Sequence, residues 1–169
     1  MEKYTVLDNN GEIILDSNFM IKGEICNAGS KSLENYVAPF NAHVVNRLME
    51  TGETIYGQGD ITEFAMKEGL NGSIEAVKAG DCKLGISTDT GGNLVRDLGY
   101  EGITGFIPTK GTVSSYGIIS ASSSFTRAGL IGDFENILRV LNIVGGYDSK
   151  DPMSLKTEMD LEFFELNVE

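Results

Sequence analysis

At 169 residues the chain has the length of one domain, enough to bury most of its apolar surface. Its hydrophobic fraction of 41% and charged fraction of 22% are those of an ordinary globular protein. The 25 acidic against 13 basic residues leave a formal net charge of -12, a surface that repels phosphate backbones and argues against nucleic-acid binding.

No run approaches the length that spans a bilayer, and Met1-Glu2-Lys3-Tyr4 has no apolar signal core. The expectation is a cytoplasmic protein with no membrane association. Cys26 and Cys82 form no metal-spaced pair and read as small apolar residues in a reducing compartment. His43 is the single histidine, which excludes a histidine-rich metal centre. No metal and no cofactor are expected.

Residues 3–8 and 12–16 alternate apolar and polar around Asn9-Asn10-Gly11, which predicts an N-terminal β-hairpin. A helix is expected near 41–51, with Val44, Val45, Leu48 and Met49 on one face and Gly52 at its end. His43 then lies at a helix end. Asp60-Ile61-Thr62-Glu63 has capping-box spacing and predicts a short second helix. Ser73 is placed to cap a third, Ile74 to Ala79, which Gly80 ends. Cys82, Leu84, Ile86 and Thr88 alternate with Lys83, Gly85 and Ser87 as in a strand. A glycine loop, Thr88-Asp89-Thr90-Gly91-Gly92-Asn93, follows it. Ile103 to Ile107 reads as another strand and 111–124 as a Ser- and Gly-rich segment. Asp133 opens the most regular helix, with Phe134, Ile137, Leu138, Leu141 and Val144 at helical spacing and Gly145-Gly146 as its stop. Leu161 to Val168 alternates again and predicts a final strand. Helices alternating with strands point to an α/β layered fold.

Several segments, in order, resemble the amidase signature family, in particular the A subunits of glutamine-dependent tRNA amidotransferases. Ile21-Lys22-Gly23-Glu24 is similar to the family's Ile-Lys-Asp-Asn, and Asp60-Ile61-Thr62-Glu63-Phe64-Ala65-Met66 to its Asn-Met-Asp-Glu-Phe-Ala-Met. Gly72-Ser73-Ile74-Glu75-Ala76 resembles the helix after the family's Gly-Gly-Ser-Ser-Gly-Gly loop. Thr88-Asp89-Thr90-Gly91-Gly92 resembles its nucleophile loop. Gly105-Phe106-Ile107-Pro108-Thr109-Lys110-Gly111 and Gly146-Tyr147-Asp148 continue the match, which runs over about residues 18–154. The resemblance implies an amidase-signature-like mixed sheet flanked by helices. It is reduced here to one small domain over residues 1–169, with the hairpin in place of the family's N-terminal helical arm.

The family's chemistry uses a serine nucleophile at the end of Asp-Thr-Gly-Gly-Ser, a relay serine, and a neutral lysine as base. Serine needs an adjacent base to attack, and a lysine serves only where burial lowers its pKa. The resemblance places Lys22 at the base, Asn93 at the nucleophile and Gly69 at the relay serine. Val95 and Asp97 stand where the family has arginine and proline, and Ser124-Phe125-Thr126-Arg127-Ala128-Gly129 stands for its Ser-Leu-Asp-Gln-x-Gly. Two of three catalytic groups are missing, together with the family's C-terminal half.

Two readings stand. In the first the chain is a truncated amidase-fold pseudoenzyme that holds an unidentified small molecule or protein partner, with homo-oligomers open. Thr88, Asp89, Thr90, Gly91, Gly92 and Asn93 would then bind by shape, as an oxyanion or carboxylate nest, or merely form a turn. Asn93 would either position a ligand or cap the turn. In the second it is an active amidase or glutamine-hydrolysing amidotransferase chain of the A type with a rebuilt site, using Lys22 and a hydroxyl from Ser114-Ser115 or Ser122-Ser123-Ser124.

Overall fold

Six strands form one mixed sheet: β1 (Tyr4–Val6), β2 (Ile13–Asp16), β3 (Ile55–Gly59), β4 (Leu84–Asp89), β5 (Gly105–Phe106) and β6 (Arg127–Gly132). Their spatial order is β1-β3-β2-β4-β6-β5. The computed structural model describes residues 3–67 and 69–156. β2 lies parallel to both β3 and β4, whereas β1–β3, β4–β6 and β5–β6 are antiparallel. Four helices cover the sheet: α1 (His43–Glu50), α2 (Gly72–Ala79), α3 (Asn93–Glu101) and α4 (Phe134–Val144).

The strand period of two divides the core into layers. Ile13 and Leu15 of β2 pack with Leu84, Ile86 and Leu130 against Val44, Val45 and Leu48 of α1 and Ile137, Val140, Leu141 and Val144 of α4. Ile14 points the other way, to Ala76 of α2, and Ile131 meets Ile74, Leu94 and Leu98 of α2 and α3. The result is a helix–sheet–helix sandwich, the layered α/β architecture read from the sequence. β4 is buried along its whole length.

Three of the four expected helices hold, with shifts at their ends. Gly80 closes α2 in the left-handed region and Asp133 caps α4 through Asn136 N–H. In α1, Met49 faces water at 52% exposure, because only Val44, Val45 and Leu48 fall on the narrow buried stripe. The cap of α2 is Asn71, whose side chain accepts from Ile74 N–H. Ser73 lies inside the first turn and turns its hydroxyl into the core. The helix expected after Asp60 is a single 3-10 turn, Glu63–Ala65, with Phe64 at φ 52°, and its preceding residue is Thr62. Between Ile103 and Ile107 only Gly105 and Phe106 pair as a strand.

The N-terminal hairpin does not form. β3 lies between β1 and β2, so the two strands never pair with each other. A turn exists at Asp8–Gly11, where Gly11 N–H donates to the Asp8 carbonyl at 3.0 Å. It carries the chain across the start of β3, and Leu7 and Asp8 N–H both bond the Tyr56 carbonyl. Gly11 serves that crossing by close approach, since a Cβ there would lie 2.3 Å from the Tyr56 nitrogen. A two-strand pattern with a turn signal specifies a turn, and the partner of each strand was decided by a third strand about 40 residues on. The strand expected at 161–168 lies outside the described residues.

One further contact positions the site. Gly59 at the end of β3 and Gly72 at the start of α2 meet backbone to backbone. A Cβ on Gly59 would fall 2.5 Å from Ser73 N, and one on Gly72 would fall 2.0 Å from the Lys3 carbonyl. This drives the first turn of α2 down onto the sheet and brings Ser73 under the ends of β2 and β4.

Candidate functional site

The glycine loop leaves β4 at Asp89 and enters α3 at Asn93. Gly91 and Gly92 hold φ of 87° and 94°, a pair of left-handed positions that suits glycine. The loop is fastened by its own side chains. Asn93 Oδ1 accepts from Thr90 N–H at 2.7 Å and its Nδ2 donates to the Thr88 carbonyl at 3.4 Å. Asp89, fully buried, accepts from Leu94 N–H at 3.1 Å and from the Arg127 guanidinium at 3.0 Å. Thr90 Oγ1 lies 2.7 Å from Thr126 Oγ1, and Asn18 Nδ2 donates to Thr88 Oγ1 at 2.9 Å. Of the two roles open to Asn93, the turn cap is the one its contacts describe.

Beside the loop, on the α2–α3 face, sits a buried polar cluster. Asp16 ends β2 with no exposure. Its Oδ1 accepts from Ser73 Oγ at 2.6 Å and its Oδ2 from Ser87 Oγ. Asn71 Nδ2 donates in turn to Ser87 Oγ at 2.9 Å. Burial pushes the Asp16 carboxyl up to about 7, against the pull of the Ser73 and Ser87 hydroxyls and the Thr88 N–H. The sequence signal was the run Ile13-Ile14-Leu15, apolar and then abruptly Asp-Ser-Asn, where a strand on both of whose faces helices pack acquires a carboxyl. The alternation reading passed over it.

The sequence-predicted residues separate. Lys22 is exposed, and its backbone N–H donates to Asn41 Oδ1 at 2.7 Å. No hydrogen bond or ion pair among the described residues joins its side chain to the glycine loop. Thr88, Asp89, Thr90, Gly91, Gly92 and Asn93 stay together as one loop. Gly69 N–H donates to Asp97 Oδ1 at 3.1 Å, which ties the relay-serine position to α3 at the place where the family has proline. Val95 points outward at 56% exposure.

The alternative hydroxyls are engaged elsewhere. Ser114 Oγ donates to Asp148 Oδ2 at 2.7 Å, and Ser115 donates to Asp151 from both its N–H and its hydroxyl. The fold does bring a histidine near Ser114: His43 Nδ1 lies 3.2 Å from the same Asp148 oxygen. Serine and histidine therefore share one acceptor and do not stand in series, as a nucleophile and its base must. Burial works to raise Asp148 and Asp151, but the Ser114 and Lys150 donors, with His43, hold the first below the usual carboxylate range. The Ser115 and Met153 donors do the same for the second. Cys26 and Cys82 are buried thiols, each pushed up to about 12 by burial. Among the described residues no group of three or more His, Cys, Asp or Glu could hold a metal ion, and no helix is long and apolar enough to cross a membrane.

The comparisons with known proteins agree with this frame. The Amidase family profile matches residues 13–74 and 71–168. The A subunit of the glutamyl-tRNA(Gln) amidotransferase of Methanococcoides burtonii is 34% identical over 171 residues, covering 88% of this chain and 36% of that protein. Its counterpart of the same name from Symbiobacterium thermophilum is 34% identical over 160 residues, with 78% and 33% covered. The chain thus spans about a third of the length of these relatives. Among solved structures, the A subunit of the glutamyl-tRNA(Gln) amidotransferase of Thermotoga maritima superposes with a TM-score of 0.79 at 27% identity, over 88% of this chain and 38% of that one. The peptide amidase of Stenotrophomonas maltophilia shares the fold, with a TM-score of 0.77 at 24% identity over 86% and 36%. Family match, identity and fold converge, and the chain belongs to the amidase family.

Proposed function

We propose that this chain is an amidase-fold pseudoenzyme, one domain that holds a small ligand or a protein partner and hydrolyses no amide. The observation that carries the reading is Asn93. It stands at the nucleophile's place, has no hydroxyl, and spends its side chain on the Thr90 N–H and the Thr88 carbonyl of its own loop. Gly69 at the relay position has no side chain to pass a proton.

The base position supports the same reading. Leu15-Asp16-Ser17-Asn18 has the apolar-x-x-Asn spacing of the family's Ile-Lys-Asp-Asn and lies inside the family match, which begins at residue 13. It ends the central strand β2, where Asp16 meets two serines. Lys22 is exposed, whereas a lysine base needs burial. We therefore assign the base's seat to Asp16 and treat Lys22 as a bystander. Asp16 with Ser73 and Ser87 has the groups of a base and two hydroxyls, but all three have no exposure, so no substrate reaches them. That counts against an active amidase with a rebuilt site.

Two buried polar groups in the segment after β2 are left unmet. Asn18 Oδ1 and Ser17 Oγ have no hydrogen-bond partner among the described residues. An unmet buried group costs about 1–3 kcal/mol, but these atoms are as closed to a ligand as Asp16 is, so they do not mark where one binds. The relatives are named as subunits, which supports a protein partner as the other occupant. A cytoplasmic location fits the buried free thiols.

A fluorophosphonate serine probe and an ammonia-release assay with glutamine test the reading. No labelling and no ammonia are expected. Labelling of one serine, abolished by Lys22→Ala, would overturn both the pseudoenzyme reading and the reassignment of the base.

A further inference from the structure

On a chain with twelve more acids than bases, a cleft lined by cations and no carboxylate stands apart. One such cleft adjoins the glycine loop. Its polar lining is Thr109, Lys110, Ser115, Ser120, Thr126 and Arg127, with no Asp or Glu. Thr126 joins it to the loop through the 2.7 Å contact with Thr90.

Lys110 is the exceptional member. It is half-buried, and burial lowers its pKa while Asp151 acts through space to raise it. The ammonium has three donors, and one is used on the Thr126 carbonyl at 2.6 Å. It forms no ion pair among the described residues. A cation that has lost water without gaining a contacting carboxylate is short of an anion. Arg127 is different: Asp89 already takes one edge of its guanidinium at 3.0 Å. The Ser115 hydroxyl is engaged by Asp151, whereas the Ser120 hydroxyl makes no hydrogen bond among the described residues.

We propose that this cleft binds the carboxylate of a small molecule, with Lys110 as its cation and Ser120 as a hydroxyl donor. The free space is about 10 Å³, room for about one water-sized group. That admits one oxygen of an anion with the rest of the molecule outside, and one ammonium with one free hydroxyl suits the single charge and two oxygens of a carboxylate better than the higher charge and four oxygens of a phosphate. The site deepens the ligand-holding reading by naming a chemical class, and it does not depend on the loss of hydrolysis.

The test is an NMR titration of the full chain with sodium acetate and, separately, sodium phosphate, at constant ionic strength. Acetate is expected to move the Gly111, Ser120 and Thr126 amides saturably, with a midpoint on the order of millimolar. Lys110→Gln weakens it by about tenfold or more, Ser120→Ala weakens it less, and Lys110→Arg keeps it. Unchanged spectra elsewhere report that each variant is folded. Shifts that do not saturate, an acetate midpoint unchanged in Lys110→Gln, or tighter binding of phosphate than of acetate would each overturn the proposal. Ammonia release with glutamine reads hydrolysis independently, so the two readings fail separately.

Discussion

Asp16 accepts from Ser73, Ser87 and the Thr88 N–H in a place where no cation among the described residues faces it. A carboxylic acid whose folded pKa is raised holds its proton in the native state after the unfolded chain has released it. The unfolded group titrates near 3.9 and the folded one at about 7. Stability therefore falls as pH rises from about 4 to about 7, by an amount on the order of 4 kcal/mol, and levels off above. Asp148 and Asp151 have lowered values and act with the opposite sign, losing stability only as pH falls below about 4. Asp16→Asn keeps one oxygen acceptor for the serines, replaces the other with an N–H donor, and carries no charge. It is expected to flatten urea-denaturation stability between pH 4 and 7 and to exceed the parent above pH 7. An unchanged slope in that variant would show that Asp16 is not the titrating group. At the loop, Asn93→Ser is expected to give no glutamine hydrolysis, because Gly69 and Asp16 remain. It is also expected to lower stability by about 1 kcal/mol through loss of the turn cap. Turnover in that single variant would show that the relay is dispensable. The identity of the loop was legible in Thr88 to Gly92, since the residues are contiguous. Asp16 was not, because its meaning depends on Ser73 and Ser87, 57 and 71 residues away.

Among the elements, α2 carries the most consequence per residue. Asn71 caps it through Ile74 N–H and also supplies the donor to Ser87. Asn71→Ala should cost about 2 kcal/mol in chemical denaturation, the sum of a lost cap and a lost buried hydrogen bond. Gly72→Ala should cost more, on the order of 3 kcal/mol, because the new methyl meets the Lys3 carbonyl and the Asp60 nitrogen. Gly99, in the middle of α3 with nothing within 4 Å of a Cβ, is the control: Gly99→Ala should stabilise by about 0.5–1 kcal/mol. Equal effects at 72 and 99 would remove the case that close backbone approach sets the site. The helices α1, α2 and α4 were legible from period and caps, as Asp133 and Gly80 illustrate, whereas α3 was not read as a helix. The strands were less so. β3, Ile55-Tyr56-Gly57-Gln58-Gly59, has two glycines and no clean alternation, and β6 was hidden in a segment read for its motif. Both are strands because neighbouring strands pair with them, which local sequence does not encode.

Over the whole molecule, the sheet order grades stability from centre to edge. β4 is covered by β2 and β6 and by helices on both faces, whereas β1 has three residues and β5 two. Amide exchange should accordingly be slowest in β4 and β2 and fastest in β1 and β5. Exchange as fast in β4 as in β5 would contradict the central placement of the loop's parent strand. The layered class was legible from alternating helix and strand signals. The strand order was not, since a crossover is a property of the assembled sheet.

The bond between Gly69 N–H and Asp97 has a consequence for descent. A lineage returning to the family's pattern would need proline at 97, in mid-helix, where its ring also removes an N–H from α3. That step also hands the exposed Gly69 N–H over to water before any hydroxyl at 69 has a use. On the pseudoenzyme reading, such an intermediate loses a helix hydrogen bond and gains no activity. On that reading positions 69 and 97 are coupled, and the way back to chemistry runs uphill.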